Sequence, residues 1–152
     1  MNTLKKLLFA LPIMLVVACS SDDDAGTQVT PEVVGIYNLT EVNISIAQDP
    51  NEDGTFSVNM VEELDCLNGT LAIEADGTWS LRLTQLSINS VTGDFFPVFC
   101  GNSLDYSGNW SIANNLLTLN TSTFSPFSYS DGVLTENINE DLPGILNRKY
   151  TK

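Results

Sequence analysis

The sequence contains no histidine and only six lysine and arginine residues, against 19 aspartate and glutamate residues. Without histidine, the Ser-His and Cys-His pairs of nucleophilic catalysis and most zinc sites are excluded. The formal net charge is −13 at pH 7, and such a chain is repelled by nucleic acid and by anionic lipid surfaces. We therefore expect a protein that is not an enzyme, with no cofactor and no nucleic-acid partner.

Long hydrophobic runs are also missing from the sequence. The apolar stretch Leu7–Val17 follows two lysines and precedes the small residue Ala18. It is too short to cross a bilayer core of about 30 Å as a helix, and its flanks are those of a secretory signal peptide. We expect residues 1–18 to be removed. Their two lysines would leave with them and make the net charge more negative.

The end of this segment, "VVAC" at 16–19, resembles a bacterial lipobox. The resemblance implies that Cys19 becomes the lipidated N-terminus, and several acyl chains make a nearly permanent membrane anchor. The following "SSDDD" resembles the acidic export signal of Bacteroidota surface lipoproteins, which implies an outer-membrane protein displayed at the cell surface. The alternatives are a periplasm-facing lipoprotein and a plain secretory signal. Residues 19–32 are polar and acidic and predict a flexible tether.

Only three cysteines occur in the chain. If Cys19 carries lipid, Cys66 and Cys100 remain as an even pair in an oxidising compartment, which favours a disulfide. The bond would close a loop of about 35 residues and stabilise the domain by roughly 3–4 kcal/mol. The alternative, a thiolate nucleophile, needs a partner base, and no histidine is available to serve.

Asn and Asp recur beside glycine or each other at positions that predict tight turns. The stretches are "NEDG" at 51–54, "NG" at 68–69, "DG" at 76–77, "ANN" at 113–115 and "DG" at 131–132. Such residues adopt the positive φ that two-residue hairpin turns require. Apolar and polar residues alternate between the turns, and a change of parity predicts a bulge near Gln85.

This pattern gives about eight strands with hairpin connections and no long helical pattern. One of them places Phe56, Val58 and Met60 on a single half-buried face, and the acidic stretch Val61–Cys66 continues as strand. A meander of this kind hides its edges by closing, so the sequence predicts an all-β, up-and-down antiparallel β-barrel. A two-sheet β-sandwich fits the same periodicity and is the alternative.

With its strands laid out, the domain at 33–152 resembles the lipocalin-like domains of Bacteroidota lipoproteins. The likeness includes "GTLAIEADGTWSL" at 69–81 and "GNWSIANNLLTL" at 108–119. Lipocalins begin their first strand with Gly-x-Trp, and a basic residue of the last strand packs over that Trp. The resemblance assigns these roles to Gly35, to Tyr37 in place of Trp, and to Arg148 or, as second choice, Lys149.

Whether the barrel holds a ligand depends on its inward side chains. Eight strands enclose just enough room for side chains or for one small ligand. The predicted inward residues are large, so a filled barrel that works as a structural or protein-interaction module stands beside a barrel with a cavity. The candidates to line a cavity are Trp79, Leu81, Leu83, Trp110, Leu117 and Leu119.

Two acidic stretches offer possible chemistry. "DPNEDG" at 49–54 matches the first half of a calcium loop, with Asp49, Asn51 and Asp53 as ligands. The twelfth position, normally glutamate, is Met60, and a plain turn explains the same residues. Glu62 and Glu63 form a carboxylate pair that would serve a glycoside hydrolase only if it faced across a cleft.

We therefore expect an outer-membrane-anchored lipoprotein with a lipocalin-like barrel. Its partners would be the membrane, through the lipid anchor, and a small, apolar molecule or a cell-envelope protein. A filled interaction module and an acidic hydrolase are the alternatives.

Overall fold

The computed structural model of the chain describes residues 32–89 and 96–152. The predicted signal peptide, Cys19 and the tether up to residue 31 lie outside the described residues. Within the described ranges the chain forms nine strands and one short helix. The elements are β1 Gly35–Gln48, β2 Ser57–Asn59, α1 Met60–Glu63, β3 Gly69–Ile73, β4 Thr78–Ile88, β5 Val98–Ala113, β6 Leu116–Leu119, β7 Phe127–Ser130, β8 Val133–Asn137 and β9 Ile145–Thr151.

Eight of these strands close into an antiparallel barrel, which confirms the predicted up-and-down barrel over the sandwich. Neighbours follow the order β1, β3, β4, β5, β6, β7, β8 and β9, and β9 returns to pair with β1. Only the three-residue β2 stands outside this ring, paired with the far part of β1. Each of the eight strands of this lipocalin-like barrel has a neighbour on both sides, but residues 98–109 of β5 pair with β4 and not with β6.

The predicted hairpin turns explain much of the closure. Asn114 and Asn115 connect β5 to β6 with φ values of 52° and 61°, and Asp131 and Gly132 connect β7 to β8 with 48° and 79°. These are the left-handed conformations of a two-residue hairpin turn. The predicted bulge is also confirmed, since the β4–β5 register shifts between Thr84 and Leu86.

Two local predictions were wrong. Gly69 does not form a turn with Asn68 but begins β3, where it pairs with Leu83. The predicted strand around Phe56 is only the three-residue β2, and its expected inward face is not half-buried, because Phe56 is 67% and Val58 46% exposed. The chain then enters helix α1, which is capped by the Asn59 side chain accepting from the Val61 N–H. An N-cap of this kind favours a helical turn over strand.

The two ends of the barrel differ. The turns β3–β4, β5–β6 and β7–β8 lie at one end, called here the turn end. The longer connections β1–β2, β4–β5 and β8–β9 lie at the other, the loop end. Strand β6 pairs only with Trp110–Ala113 of the 16-residue β5. The barrel wall is therefore low on the β6–β7 side near the loop end.

Candidate ligand-binding site

A charged pair lies inside the barrel where apolar side chains would be expected. Glu136 on β8 and Arg148 on β9 are opposite each other in the strand register. Arg148 Nη1 donates to Glu136 Oε2 at 3.0 Å, and the Ser125 N–H donates to Oε1 of the same carboxylate at 3.0 Å. The Glu136 side chain is 2% exposed and that of Arg148 18%. The pair is thus held in the barrel interior.

Burial and the salt bridge shift the pKa of Glu136 in opposite directions. Its pKa is raised because burial disfavours the charged carboxylate, and the nearby Arg148 guanidinium lowers it in part. The salt bridge keeps the carboxylate partnered, but Arg148 directs only one of its five N–H donors to Glu136. Among the residues that the structure describes, Arg148 has no other hydrogen-bond acceptor.

A cavity of about 370 Å³ lies beside this pair at the loop end. Its size is at the lower end of the range for small-molecule sites. Apolar and aromatic side chains line part of the wall: Leu83, Leu86, Ile88, Tyr106, Phe124 and Ile145. The polar side chains are Gln85, Thr123, Glu140 and Arg148, and polar atoms supply the larger share of the exposed lining. The cavity thus sets some apolar side chains beside a mainly polar surface.

Phe124 connects the cavity to the packed core. Its ring makes edge contacts with Tyr106, at 5.0 Å between ring centroids, and with Trp79, at 6.1 Å. It belongs to the β6–β7 connection, on the side where the barrel wall is low. Because it is only partly buried and lies outside the strands, Phe124 covers the core while still lining the cavity.

The residues predicted to line a cavity are distributed differently. Only Leu83 of the six lines the loop-end cavity. Trp79, Leu81, Leu117 and Leu119 belong to the buried core. Trp110 is half-buried, and its indole N–H donates to the Glu74 carbonyl at the turn end. Large inward side chains thus fill most of the barrel, and the cavity is confined to the loop end.

The predicted barrel closure is corrected in one residue. Lys152, not Arg148, lies over the Tyr37 ring, with its Nζ 5.8 Å from the ring centroid. The β1–β9 register places Thr151 opposite Asn38, whereas Arg148 is opposite Val42, farther along β1.

Lys152 Nζ also donates to the carbonyls of Glu32 and Val34, and its side chain therefore covers the start of β1. Gly35, which the resemblance also assigned to barrel closure, lies directly beside the Lys152 side chain and has a φ of +153°. Lys149, the second choice for the cation, pairs with Glu41 instead, at 2.8 Å.

The predicted disulfide between Cys66 and Cys100 is confirmed. The bond joins the segment after α1 to β5, with 6.2 Å between the two Cα atoms. It therefore fixes the helix against the barrel wall close to the loop end.

The carboxylates singled out in the sequence lie together on one side of the barrel, in the β1–β2 loop and α1. The Asp49 carboxylate accepts from the N–H groups of Asp53 and Gly54. Glu62 is exposed and accepts from the Ser57 hydroxyl, while Glu63 is 6% exposed. In the ranges described, no three Cys, Asp or Glu side chains lie close enough to hold a metal ion as they stand.

Sequence inspection missed Glu136 and misplaced Arg148. Glu136 follows Leu134 with strand alternation, so it occupies an inward position, and that spacing was the only available signal. Acidic residues are normally placed outside unless paired.

Comparison with protein families, with curated proteins and with solved structures finds no match in any of the three. Within the residues that the structure describes, no helix has the length and apolar character needed to span a membrane. Function is therefore inferred from the site itself.

Proposed function

We propose that the protein is a lipid-anchored envelope protein whose barrel binds a small, uncharged and partly apolar molecule. The observation that supports this most is the loop-end cavity, whose mainly polar lining includes Arg148 and also carries several apolar side chains. An oxygen acceptor of the ligand would meet the guanidinium, and its apolar part would lie against the apolar side chains.

Charge supports the choice of an uncharged ligand. The positive charge of Arg148 is offset by Glu136, and Glu140 adds a second negative group to the cavity wall. The whole chain is also strongly acidic. An anionic ligand would be repelled by this field, whereas a neutral molecule loses nothing to it.

Native mass spectrometry of the full-length protein, purified from its own host, tests the proposal. The expected result is a reproducible extra mass that disappears on denaturation. Ile88→Trp should abolish it, because Ile88 lines the cavity and the indole would occupy part of its volume. Asn89→Trp is the matched control, since the neighbouring Asn89 is exposed and does not line the cavity.

Three results separate the alternatives. Loss of the extra mass in Ile88→Trp but not in Asn89→Trp supports the cavity as the site. Loss of the extra mass in both variants, or in neither, would show that the molecule binds outside the cavity. No extra mass in the wild-type protein argues against ligand binding.

The anchor rests on the sequence alone and needs its own test. Metabolic labelling with palmitate should mark the wild-type protein and not Cys19→Ala. Protease added to intact cells should cut the domain if it is displayed at the surface. A domain that is cut only after permeabilisation would instead face the periplasm.

A second candidate is an interaction module that works through the loop end. Large apolar side chains are exposed there, among them Phe56 at 67% and Leu142 at 70%. Both residues lie in connections at the loop end, and exposed apolar groups that form a patch mark interaction surfaces. Crosslinking in intact cells should then capture an envelope protein, and Leu142→Ser should weaken capture more than Ile36→Ser, which removes an exposed apolar side chain near the turn end.

A further inference from the structure

One stretch of β5 has a strand neighbour on one side only. Residues 103–109 pair with β4, whereas β6 pairs with β5 only from Trp110 onward. The nearest link to the β6 side is the hydrogen bond from the Asn120 N–H to the Asn109 carbonyl. Among the described residues, no backbone hydrogen bond joins 103–108 to the rest of the β6–β7 connection. Residues 103–108, called here the open β5 edge, therefore form a strand edge in the barrel wall.

Every second residue of the open β5 edge directs its backbone groups away from β4. The Trp110 N–H donates to the Gly77 carbonyl just before β4, while the Asn109 carbonyl accepts from the β6 side. Neighbouring residues of a strand direct their N–H and C=O groups to opposite sides. The edge residues whose groups point away from β4 are therefore Ser103, Asp105 and Ser107. All three are exposed, and a row of unpaired N–H and C=O groups is a template for another strand.

The side chains of the open β5 edge alternate between two faces. The three exposed residues form a polar outer face. Leu104 and Tyr106 lie opposite the buried Leu83 and Leu81 of β4 and so face inward. The ring of Tyr106 also contacts Phe124. A strand added beside β5 would place its side chains alternately on these faces, so its inner residues should be apolar and its outer residues polar.

Charge selects the kind of strand that fits. Asp105 is exposed in the middle of the outer face, and Arg82, opposite it on β4, forms no salt bridge with it in the described ranges. Opposite charges across two strands stabilise the pairing, and like charges destabilise it. A second copy of this chain would bring another acidic strand from a protein with 19 acidic and six basic residues. A strand with lysine or arginine on its outer face avoids that repulsion.

We propose that the open β5 edge binds an extended, basic segment of another protein as an added β-strand. The main chain of the segment hydrogen-bonds with Ser103, Asp105 and Ser107, and its basic side chains lie beside Asp105. Its apolar side chains pack toward Leu104 and Tyr106. In this mode of recognition, main-chain hydrogen bonds supply the affinity and alternate side chains supply the specificity. The interaction does not require a molecule in the loop-end cavity.

Amide hydrogen exchange, resolved by residue with NMR on the full-length protein, tests the edge. The probe is an acetylated peptide of about eight residues, with valine at alternate positions and lysine or threonine between them. In the free protein, the N–H groups of Ser103, Asp105 and Ser107 should exchange faster than those of Leu104 and Tyr106, which point toward β4. The peptide should slow exchange at the three outer residues by about tenfold or more. A ligand confined to the cavity would not produce this alternation.

Fluorescence anisotropy of the labelled peptide compares variants of the edge. Asp105→Lys should weaken binding by about fivefold or more, because a like charge replaces an opposite one. Asp65→Lys is the matched control, since it changes the net charge equally at an exposed residue outside β5, and it should weaken binding by less than about twofold. Ser107→Pro should weaken binding by about tenfold, because it removes an N–H that faces away from β4, where an edge strand tolerates proline. Ser107→Ala keeps that N–H and should bind as wild type does.

Modified peptides test the same contact on the wild-type protein, so the result does not depend on a variant folding. Replacing the lysines by glutamate should weaken binding by about tenfold or more. N-methylation of the amides on one edge of the peptide should abolish binding, and N-methylation on the other edge should not, because an added strand uses one edge only.

The proposal is overturned if the peptide binds without protecting the three outer amides, or if Asp65→Lys weakens binding as much as Asp105→Lys. It is also overturned if the free protein already protects these amides. Sedimentation velocity would then show whether a second copy of the chain covers the edge.

Discussion

Replacing Arg148 with methionine removes the partner of a buried carboxylate while keeping a long apolar side chain in the barrel. In the wild type, Glu136 has two hydrogen bonds, from Arg148 and from the Ser125 N–H. The variant would leave a 2% exposed carboxylate with the backbone N–H alone.

The structure sets the size of the effect. Removing one member of a fully buried pair costs about 3–5 kcal/mol. The Arg148 side chain is 18% exposed beside the cavity, so water offsets part of the loss. We expect Arg148→Met to lower the free energy of unfolding by about 2–4 kcal/mol at pH 7.

The loss should shrink in acid. The pKa of Glu136 in the folded protein already lies above its usual value because of burial, and without the guanidinium it rises further. A carboxyl group with a raised folded-state pKa stabilises the fold as pH falls through that pKa toward the unfolded value of 4.5. The variant therefore gains more than wild type between pH 7 and about 4.5.

Urea unfolding at both pH values, followed by tryptophan fluorescence, measures this difference. Lys149→Met is the control, because Lys149 and Glu41 are each about one-third exposed and such a pair contributes less than about 1 kcal/mol. An equal loss by Arg148→Met at the two pH values would show that Glu136 carries no charge at pH 7. A loss no larger than that of Lys149→Met would refute the buried pair.

Three further predictions concern stability. Replacing Cys66 and Cys100 by alanine should lower the free energy of unfolding by about 4 kcal/mol, because their sequence separation is 34; a reductant should do the same to wild type and nothing to the variant. Leu117→Ala, at a fully buried position, should cost about 2–5 kcal/mol, and Leu116→Ala, at a 45% exposed neighbour, less than about 0.5 kcal/mol by the same urea titration. Lys152→Gln should cost about 1 kcal/mol, because the ammonium lies over a tyrosine ring and contacts two carbonyl oxygens; an unchanged midpoint would refute that contribution.

The parts of the fold that the sequence predicted depend on local chemistry. Positive φ at Asn114, Asn115 and Asp131 selects two-residue hairpin turns whatever the rest of the chain does. Alternation along β3 and β4 places Leu71, Leu81 and their neighbours inward because a pleated strand has period two. Closure of the barrel then follows from the need to cover strand edges.

The remaining features depend on register and competition between nearby residues. Lys152 rather than Arg148 meets Tyr37 because the β1–β9 register places Thr151 opposite Asn38, and Arg148 opposite Val42, four residues farther along β1. The register between the first and last strands leaves no trace in an alternation pattern. Helix α1 begins at Met60 because Asn59 caps it, which ends the strand-like alternation after β2. The Asn59 side chain also accepts from the Val42 N–H of β1, a contact that composition does not reveal.

The cavity and the filled interior, posed as alternatives, occur in different halves of one barrel. Near the turn end, Tyr37, Tyr150 and Leu134 are fully buried and fill the space between the strands. Toward the loop end the short β6 lowers the wall, and the Glu136–Arg148 pair replaces apolar filling. Covering the Arg148 guanidinium with apolar side chains would leave its other N–H donors buried without an acceptor, which is costly. That half of the barrel must therefore keep room for water or for a ligand that offers an acceptor.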